Sequence, residues 1–347
     1  MPKTQFIFNG EEFSSLIFKE IDRAQKSIDI STYIFELDSF GLQVFKALQQ
    51  KAQQGVRVRI LADSLGSISL HWVLDDVPKG MEIRLYHTFY RTFPFQKDSL
   101  LEKITNWNHR NHQKLFIFDG EKSITGSRNI HKKAIQWHET SLIHFKEETK
   151  DLKKIFENLW SQEKLNVYQS KIFLSSHSPL LRKQRNLKLK NWITSAQKRI
   201  TILTPYFSPS LSMRRRLKKL AKQGVKITLI VPRFSDVNLS RWINQSYYKS
   251  FIRSGISIYE YKEKILHSKL ILIDDLLILG SSNFNQRSLR QDLEIDYITS
   301  DPEHLITIEK KLSEDIEHSV QIKDPKRLFF LKKIWVDFVE TFFKRWT

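Results

Sequence analysis

Runs of hydrophobic residues along the chain predict strands that alternate with helices. Residues 28–35 are rich in β-branched and aromatic side chains, which is typical of a strand. Residues 40–53 have apolar side chains at helical spacing, and Gly55 then ends this helix before a second strand at residues 56–61. Because the same order of helix, glycine and strand recurs at residues 211–231, the pattern predicts an α/β fold.

The chain also repeats itself once. Five short segments of the first half recur in the same order in the second half, which chance similarity between strand–helix units rarely produces. The matched pairs are 24–30 with 196–202, 33–35 with 205–207, 54–58 with 223–227, 80–83 with 255–258, and 126–129 with 280–283. We expect two homologous α-β-α sandwich halves with mixed, mainly parallel sheets, packed about a pseudo-twofold axis with one shared cleft. The predicted halves are residues 1–165 and 166–325.

Both halves carry the pattern His-x-Lys-x-x-x-x-Asp. Its residues are His112, Lys114 and Asp119 in the first half, and His267, Lys269 and Asp274 in the second. The apolar run after each lysine predicts a buried strand. Because side chains alternate along a strand, histidine and lysine should share one face at its start, and the aspartate should fall on the other face, where a structural ion pair suits it.

Further polar residues repeat in register with this motif. An asparagine follows the motif histidine by 17 residues in the first half and by 16 in the second, and a glutamate follows it by 27 in both. These residues are Asn129, Asn283, Glu139 and Glu294. A carboxylate at a fixed distance from an imidazole can hold its ring N–H and set its tautomer. We therefore expect all four to complete the site.

Paired histidines and lysines suit phosphodiester chemistry. One neutral imidazole can attack phosphorus, and a second, protonated imidazole can protonate the departing alkoxide. Lysine and asparagine can hold the non-bridging oxygens as charge develops, and an alcohol or water would then release the covalent phosphohistidine. Metal catalysis is the competing idea, because His109, His131 and His138 lie near His112. This set lacks the His-Glu-x-x-His arrangement and any thiolate pair, so we expect a site without metal or other cofactor.

Composition restricts the partners. The chain of 347 residues has no cysteine, which excludes disulfides, thiolate metal sites and a cysteine nucleophile. Its 57 lysines and arginines against 38 acidic residues give a net charge of +19. So large an excess predicts an anionic partner, either nucleic acid, an acidic membrane surface or a phosphorylated substrate. No apolar run is long enough to span a bilayer, so we expect the chain to lie on a membrane rather than cross it.

Three basic or amphipathic stretches add weaker support for a membrane. Residues 326–347 predict a C-terminal amphipathic helix, in which tryptophan and phenylalanine beside lysine and arginine are typical of an interfacial helix. Packing of this helix on the protein's own core is the alternative. Residues 182–190 and 213–222 are basic runs that could attract anionic lipid headgroups, although a basic run is usually a solvated face.

These motifs resemble the phospholipase D superfamily, whose signature is the duplicated His-Lys-Asp motif, and within it the bacterial cardiolipin synthases. The likeness extends to the flanking residues 108–114, 204–209 and 280–289, and it covers about residues 4–300. The resemblance implies that a phosphatidyl group passes, through a phosphohistidine, from phosphatidylglycerol or phosphatidylethanolamine to the primary hydroxyl of another phospholipid. It implies His112 as the nucleophile and His267 as the acid/base.

The resemblance has further implications, and the chain also departs from the family pattern in some respects. It implies Ser127 and Ser282 as substrate-binding residues, and a peripheral protein on the cytoplasmic side of the bacterial inner membrane. Asp292 stands where the family pattern predicts asparagine, and Ser127 where cardiolipin synthases more often have glycine. The paired membrane spans of the longer synthases are not found in the sequence, so the chain resembles the shorter, peripheral type.

Three classes of function remain open at this point. The preferred one is a membrane-associated phosphatidyltransferase, with a phospholipase D hydrolase as its variant. A metal-independent endonuclease of the same superfamily would explain the positive charge, because phosphate contacts dominate nucleic-acid affinity. A non-catalytic binding module that has kept the fold is disfavoured, because all eight paired polar residues are present.

Overall fold

The structure is a computed structural model that describes residues 4–87, 109–161 and 168–324. The chain divides into two compact units. Unit 1 comprises Met1–Ser178 together with Asp292–Asp296, and unit 2 comprises Pro179–Gln291 and Tyr297–Thr347. The predicted helix at residues 326–347 lies outside the described residues.

Unit 1 is built on a seven-stranded sheet with helices packed on it. Its strands are β1 (Gln5–Ile7), β2 (Ser27–Thr32), β3 (Arg57–Asp63), β4 (Met81–Tyr86), β5 (Leu115–Phe118), β6 (Lys122–Gly126) and β7 (Ser141–Phe145), in the order β1-β7-β6-β5-β2-β3-β4. Its helices are α1 (Gly10–Arg23), α2 (Gly41–Gln53), α3 (Lys132–Gln136) and α4 (Lys146–Ser161), with a 3₁₀ turn at Ile68–Trp72. A short strand, β8 (Phe173–Ser175), follows.

The sheet is mixed, as predicted, but the expectation that it is mainly parallel is wrong. Strands β2, β3 and β4 pair in parallel, whereas the other described pairings in this sheet are antiparallel. Parallel neighbours need a long crossover connection, and such connections join β2 to β3 and β3 to β4. The turn from β5 to β6 is too short for a crossover, so these strands form a hairpin.

The core of unit 1 explains why these segments form these elements. Strand β2 is buried along its whole length, and helices α1 and α2 cover one sheet face with apolar side chains such as Phe13, Ile17 and Leu48. On α1 the side chain of Asn9 accepts hydrogen bonds from the first-turn amides and starts the helix.

The other face of this sheet carries a buried ion pair. Asp29 on β2 is fully buried and lies 2.7 Å from Arg59 on β3, and Arg59 also contacts Glu157 of α4 at 2.6 Å. The Arg59 guanidinium lies over the rings of Phe156 and Trp160, so α4 is held to the sheet by charge and by cation–π contact.

Unit 2 repeats the plan of unit 1. Its strands are β9 (Arg199–Leu203), β10 (Lys226–Pro232), β11 (Ser257–Tyr261), β12 (Leu270–Ile273), β13 (Leu276–Gly280), β14 (Ile295–Thr299) and β15 (Ser319–Gln321), in the order β15-β11-β10-β9-β12-β13-β14, with β8 after β14. Its helices are α5 (Pro179–Ser195), α6 (Leu211–Lys222), α7 (Asn238–Ile252), α8 (Gln286–Arg290) and α9 (Pro302–Glu317). Again three parallel strands, β9 to β11, are followed by an antiparallel hairpin, β12 with β13.

The internal repeat is therefore present in the topology of both units, and the predicted two-halved α/β fold is confirmed. One segment breaks the simple order of the halves. Residues 292–296, which follow α8 in the second half of the sequence and include the first two residues of β14, belong to unit 1. Within the described residues, no helix combines the length and apolar character needed to cross a bilayer.

Candidate active site

The motif histidine of unit 1 lies directly before a buried strand. Strand β5 begins at Leu115 and its four residues are all buried, so His112 and Lys114 stand where the sequence predicts them. The backbone N–H of His112 donates to the carbonyl of Leu293 at 2.9 Å, and the N–H of Leu293 donates to the carbonyl of Arg110 at 2.9 Å. These two bonds hold residues 292–296 beside the histidine.

Glu294 is placed against His112 by this pairing. Its carboxylate oxygens lie 3.0 and 3.1 Å from Nδ1 of His112, and the glutamate is fully buried. An ionised carboxylate can only accept, so Nδ1 carries a proton, and the neutral form of the ring has its lone pair on Nε2. The sequence spacing predicts that a carboxylate holds each imidazole, but it does not say which glutamate serves which histidine. For His112 the carboxylate comes from the second half of the sequence.

Glu294 is itself fixed by its neighbours. Its backbone N–H donates to Oγ of Ser176 at 2.7 Å, and the Ser176 hydroxyl donates to the carbonyl of Asp292 at 2.8 Å. The side chain of Asp292 accepts the backbone N–H of Arg110 at 3.2 Å. The oxygen of an asparagine could accept the same bond, which explains why aspartate is tolerated at position 292. Ser176 was not identified from the sequence, because nothing local marks it.

The ammonium group of Lys114 is held beside His112 by a hydrogen bond to the main chain. Its ammonium donates to the carbonyl of His112 at 2.7 Å and lies 5.4 Å from the ring centroid of Tyr33. The Tyr33 ring in turn lies 5.0 Å from the imidazole of His112. Tyr33 follows strand β2, the neighbour of β5. Its position after a buried strand is the signal that would have identified it.

The remaining predicted residues of unit 1 lie on the turns around β6. The side-chain oxygen of Asn129 accepts the N–H of Ile34 at 3.3 Å, next to Tyr33. Ser127 is 1% exposed, and its hydroxyl exchanges hydrogen bonds with the backbone of Thr140 at 3.0 and 3.2 Å. The hydroxyl predicted to bind substrate is thus engaged with the main chain.

Glu139 is fully buried and is electrostatically coupled to Arg128. Burial lowers the pKa of the Arg128 guanidinium, and the negative charge of Glu139 offsets part of that effect. Arg128 also donates to the carbonyl of Ala134 at 2.7 Å, which holds helix α3. Glu139 therefore has a charge partner within its own unit.

Asp63 and Asn111 form a further polar group that no sequence motif marks. The Asp63 carboxylate accepts the N–H of Asn111 at 2.8 Å and lies 3.4 Å from the guanidinium of Arg110. Burial raises the pKa of Asp63, although Arg110 and the backbone amides act to lower it. Because Arg110 and Asn111 directly precede His112, their contacts with Asp63 fix the chain that enters the motif.

The motif histidine of unit 2 has similar local contacts to that of unit 1. Lys269 donates to the carbonyl of its own motif histidine, His267, at 2.5 Å, and both residues are buried. The ring of Tyr206 lies 6.4 Å from the His267 ring, and its hydroxyl donates to Asp236 at 2.6 Å. In each motif the lysine ammonium is therefore held by the main chain of the histidine.

The segment after β13 differs from its counterpart in unit 1. Asn283 is buried, and its N–H donates to Oγ of Ser288 at 3.2 Å. The Ser282 hydroxyl accepts a hydrogen bond from Arg185 of α5, which also donates to the carbonyl of Ser288 at 3.2 Å. In the repeat, Ser282 occupies the position of Arg128. The guanidinium that Arg128 provides in unit 1 is therefore provided in unit 2 by Arg185, which lies on helix α5.

The two motif aspartates are structural, but not through the predicted ion pairs. The carboxylate of Asp119 accepts the amides of Gln25, Lys26 and Ser27 at 2.7–3.2 Å, and that of Asp274 accepts three equivalent amides at 2.8–2.9 Å. Both residues have a left-handed backbone, with φ of 54° and 48°. Burial alone would raise the pKa of Asp119, but these amide hydrogen bonds outweigh it and the pKa is lowered.

Two of the histidines considered as metal ligands, His131 and His109, lie in segments that make other hydrogen bonds. His131 begins helix α3, where its Nδ1 accepts the N–H of Ala134 at 3.3 Å. The carbonyl of His109 accepts the side chain of Arg110 at 3.0 Å. In the described parts of the chain, no group of three or more candidate ligand side chains could hold a metal ion.

Comparison with known families decides which proteins this chain is related to. A model of the family described as cardiolipin synthase, PLD-like domain, matches residues 17–160 and 189–318. The chain belongs to this family. Both histidine motifs fall inside the matched ranges, His112 with Lys114 in the first and His267 with Lys269 in the second.

Individual relatives agree with the family. The chain is 31% identical over 342 residues to the probable cardiolipin synthase YwiE of Bacillus subtilis (strain 168), covering 90% of this chain and 66% of that protein. It is 31% identical to cardiolipin synthase 1 of Bacillus cereus and 27% identical to a cardiolipin synthase of Geobacillus kaustophilus, covering 92% of this chain and 67% of each relative. The chain thus spans about two thirds of the length of these PLD-like cardiolipin synthases.

Solved structures show the same fold. The crystal structure of phosphatidylserine synthase from Haemophilus influenzae Rd KW20 superposes with a TM-score of 0.73 at 15% identity, covering 99% of this chain and 94% of that one. The crystal structure of polyphosphate kinase from Porphyromonas gingivalis superposes with a TM-score of 0.61 at 14% identity. This superposition covers 90% of this chain and 50% of that one. At these identities the two superpositions show that the fold is shared.

Proposed function

We propose that this PLD-like chain is a phosphatidyltransferase of the cardiolipin synthase type, which forms cardiolipin or a related phospholipid from phosphatidylglycerol or phosphatidylethanolamine. The observation that carries the proposal is the buried contact between Nδ1 of His112 and Glu294, beside the pinned ammonium of Lys114. This arrangement directs the lone pair of a neutral imidazole to Nε2 and places positive charge next to it. These are the requirements of a nucleophile toward an anionic phosphodiester.

The proposed reaction has two displacement steps. Nε2 of His112 attacks phosphorus, the bond from phosphorus to the leaving alkoxide breaks, and His267 in its protonated form gives that alkoxide its proton. The phosphatidyl group is then bound to His112 as a phosphohistidine. In the second step the acceptor hydroxyl loses its proton to His267 and attacks phosphorus, and the nitrogen–phosphorus bond breaks. Lys114, Lys269, Asn129 and Asn283 are proposed to stabilise the phosphoryl oxygens, and the role of Glu294 is to hold the tautomer of His112.

A lipid substrate is favoured over nucleic acid by an exposed apolar group in unit 1. After strand β3, Leu65, Ile68 and Trp72 are 44%, 60% and 81% exposed. This segment is tied to the residues around Tyr33, because Oγ of Ser67 donates to the carbonyl of Tyr33 at 3.1 Å. Exposed tryptophan and aliphatic side chains are suited to a lipid interface and not to a phosphate backbone.

The equivalent turn of unit 2 has the same character. In the repeat, Phe234 and Val237 after strand β10 correspond to Leu65 and Ile68, and they are 55% and 43% exposed. Together with the net charge of +19, these side chains support binding to an anionic membrane surface. We propose the cytoplasmic surface of the bacterial inner membrane as that partner.

Product analysis tests the proposed reaction. Purified protein is incubated with phosphatidylglycerol vesicles, with and without phosphatidylethanolamine, and the lipids are identified by mass spectrometry. We expect cardiolipin as the product, and we expect a chelator to have no effect on its formation. Turnover should be lost in His112→Ala and in His267→Ala. The control variant His318→Ala, at an exposed position, should keep full turnover. Phosphatidic acid as the sole product would instead identify a hydrolase, and full activity in either motif variant would refute the mechanism. Cleavage of plasmid DNA without lipid turnover would identify the endonuclease.

A further inference from the structure

Unit 2 contains a cavity whose lining includes none of the residues proposed for catalysis. It has a volume of about 220 Å³ and is lined by helices α5, α6 and α8 and by the turn before α6. Three basic side chains line it, Lys190, Arg216 and Arg290, and its lining includes no acidic residue. The buried apolar side chains of Leu189 and Met213 complete part of the wall.

The two basic runs of the sequence meet at this cavity. Helix α5 carries five basic residues and no acidic one, and helix α6 carries six and none. Most of these residues are solvated, and Lys190 is itself exposed, but Lys190 and Arg216 come from different helices and line the same space. The side chain of Arg216 also donates to Thr194 at 2.5 Å, so one of the cations is positioned by the protein.

Helix α6 contributes its N-terminal end at the same place. It begins at the cavity, where Ser210 accepts the N–H of Met213 as the helix cap, and Ser212 also lines the space. The N-terminal end of a helix carries partial positive charge and favours anions. The cavity therefore combines three side-chain cations, hydroxyl groups and a helix N-terminus.

The duplicated half of the chain serves as an internal comparison. In the repeat, Lys190 corresponds to Phe18 of α1, and Arg216 corresponds to Ala47 of α2. In unit 1 the Phe18 ring packs edge-on against Phe40 with centroids 5.9 Å apart, so apolar side chains fill that space. Unit 2 has the same helices but has basic residues in place of the phenylalanine and the alanine. The basic lining at these two positions is thus a feature of this unit and not of the repeat.

We propose that this cavity binds the phosphate group of an anionic ligand, either a phospholipid headgroup or a free phosphate compound. Phosphate matches the charge and the hydrogen-bond donors, because lysine, arginine and helix N-termini recognise its oxygens. The apolar wall formed by Leu189 and Met213 also suits the part of a phospholipid next to its phosphate. The site would hold the ligand without any chemical step.

The chain provides a specific probe for this cavity. It contains three methionines, of which Met213 lines the cavity and Met81 lies in strand β4 of unit 1. Protein labelled with ¹³C at the methionine methyl groups is titrated with inorganic phosphate and, separately, with dihexanoyl-phosphatidylglycerol below its micelle concentration. We expect the Met213 signal to shift and saturate while the Met81 signal stays in place.

Variants test whether the lining charges are responsible. Lys190→Gln with Arg290→Gln removes two cations from the cavity, and we expect the ligand concentration at half-shift to rise by about tenfold or more. Lys183→Gln with Lys219→Gln is the matched control, because these residues are exposed like Lys190 and Arg290 and carry the same charge, but they do not line the cavity. We expect this control to change the midpoint by less than about twofold.

A third variant addresses folding. Ser212→Asp places a negative charge in the first turn of α6, where it stabilises the helix, yet it repels phosphate. We expect an unchanged or higher melting temperature together with weaker binding.

The outcomes separate the two sources of ligand. A Met213 shift with inorganic phosphate supports a free phosphate compound, and a shift with the lipid alone supports a headgroup site. An absent shift with both probes, or equal weakening in the cavity and control variants, would overturn the proposal. Because the titration is read in His112→Ala as well as in the natural protein, its result does not depend on whether the proposed reaction occurs.

Discussion

Glu294 holds Nδ1 of His112 at 3.0 Å although the two residues are 182 positions apart in the sequence. The glutamate arrives on a short segment that follows α8 and joins unit 1. If this contact sets the tautomer of the nucleophile, then Glu294→Gln should lower kcat by about 100-fold or more, as loss of an imidazole-orienting carboxylate does elsewhere. Glu317→Gln, at an exposed position, is the control and should be fully active.

The same contact predicts a spectroscopic difference between the two glutamates. The ¹⁵N shifts of the His112 ring should change in Glu294→Gln and stay the same in Glu139→Gln, because Glu139 is coupled to Arg128 instead. A change in the ring shifts caused by Glu139→Gln alone would contradict the assignment of Glu294.

Asp119 should matter for stability and not for turnover. Asp119→Ala removes an acceptor of three backbone amides and places alanine at φ 54°, so we expect a loss of about 2 kcal/mol in the free energy of unfolding. Asp119→Asn keeps one acceptor oxygen and tolerates the left-handed backbone, so it should lose less. Urea denaturation measures both changes. A variant with unchanged stability and no activity would mean that the carboxylate acts in the reaction.

His177 should make the protein sensitive to acid. Burial lowers the pKa of His177 to about 4, and neither ring nitrogen has a hydrogen-bond partner among the described residues. An unfolded chain would bind this proton near pH 6.5, so stability is lost as the pH falls below that value. The expected loss is up to about 2 kcal/mol between about pH 7.5 and pH 5.

Substitution of this histidine by an apolar ring isolates its contribution. His177→Phe should remove that part of the pH dependence, as measured by denaturation at both pH values, and should leave stability near neutral pH unchanged or higher. His318→Gln alters an exposed histidine and serves as the control. An identical pH dependence in His177→Phe and the natural protein would refute the prediction.

The exposed side chains after strand β3 should contribute to membrane binding. Ile68→Ser with Trp72→Ser removes two side chains that are 60% and 81% exposed, and we expect weaker sedimentation with phosphatidylglycerol vesicles by about tenfold or more. Ile306→Ser, which changes a 67% exposed residue on α9, should have little effect. The difference should persist at high salt, because burial of apolar surface is not screened. Equal binding by all three proteins would contradict this assignment.

Local sequence pattern was sufficient for most of the fold and for the position of the two histidine motifs at the start of buried strands. The strands that precede and follow Gly55, the buried strand after Lys114, and the repeat that links His112 to His267 all follow from periodicity and spacing. These features depend on residues within one strand or helix, where the side-chain period is set by the backbone itself. The mainly parallel sheet was a wrong prediction, because hydrophobic runs do not reveal strand direction.

The chain's own sequence determined its class, its duplication, its excess of positive charge and the identity of the paired histidines and lysines. Tertiary structure alone decided that Glu294 serves His112, that Arg185 takes the place of Arg128 in unit 2, and that Asp119 binds backbone amides instead of a charged side chain. Each of these contacts joins residues far apart in the chain. Such contacts depend on how whole elements pack, and no periodicity within one element contains that information.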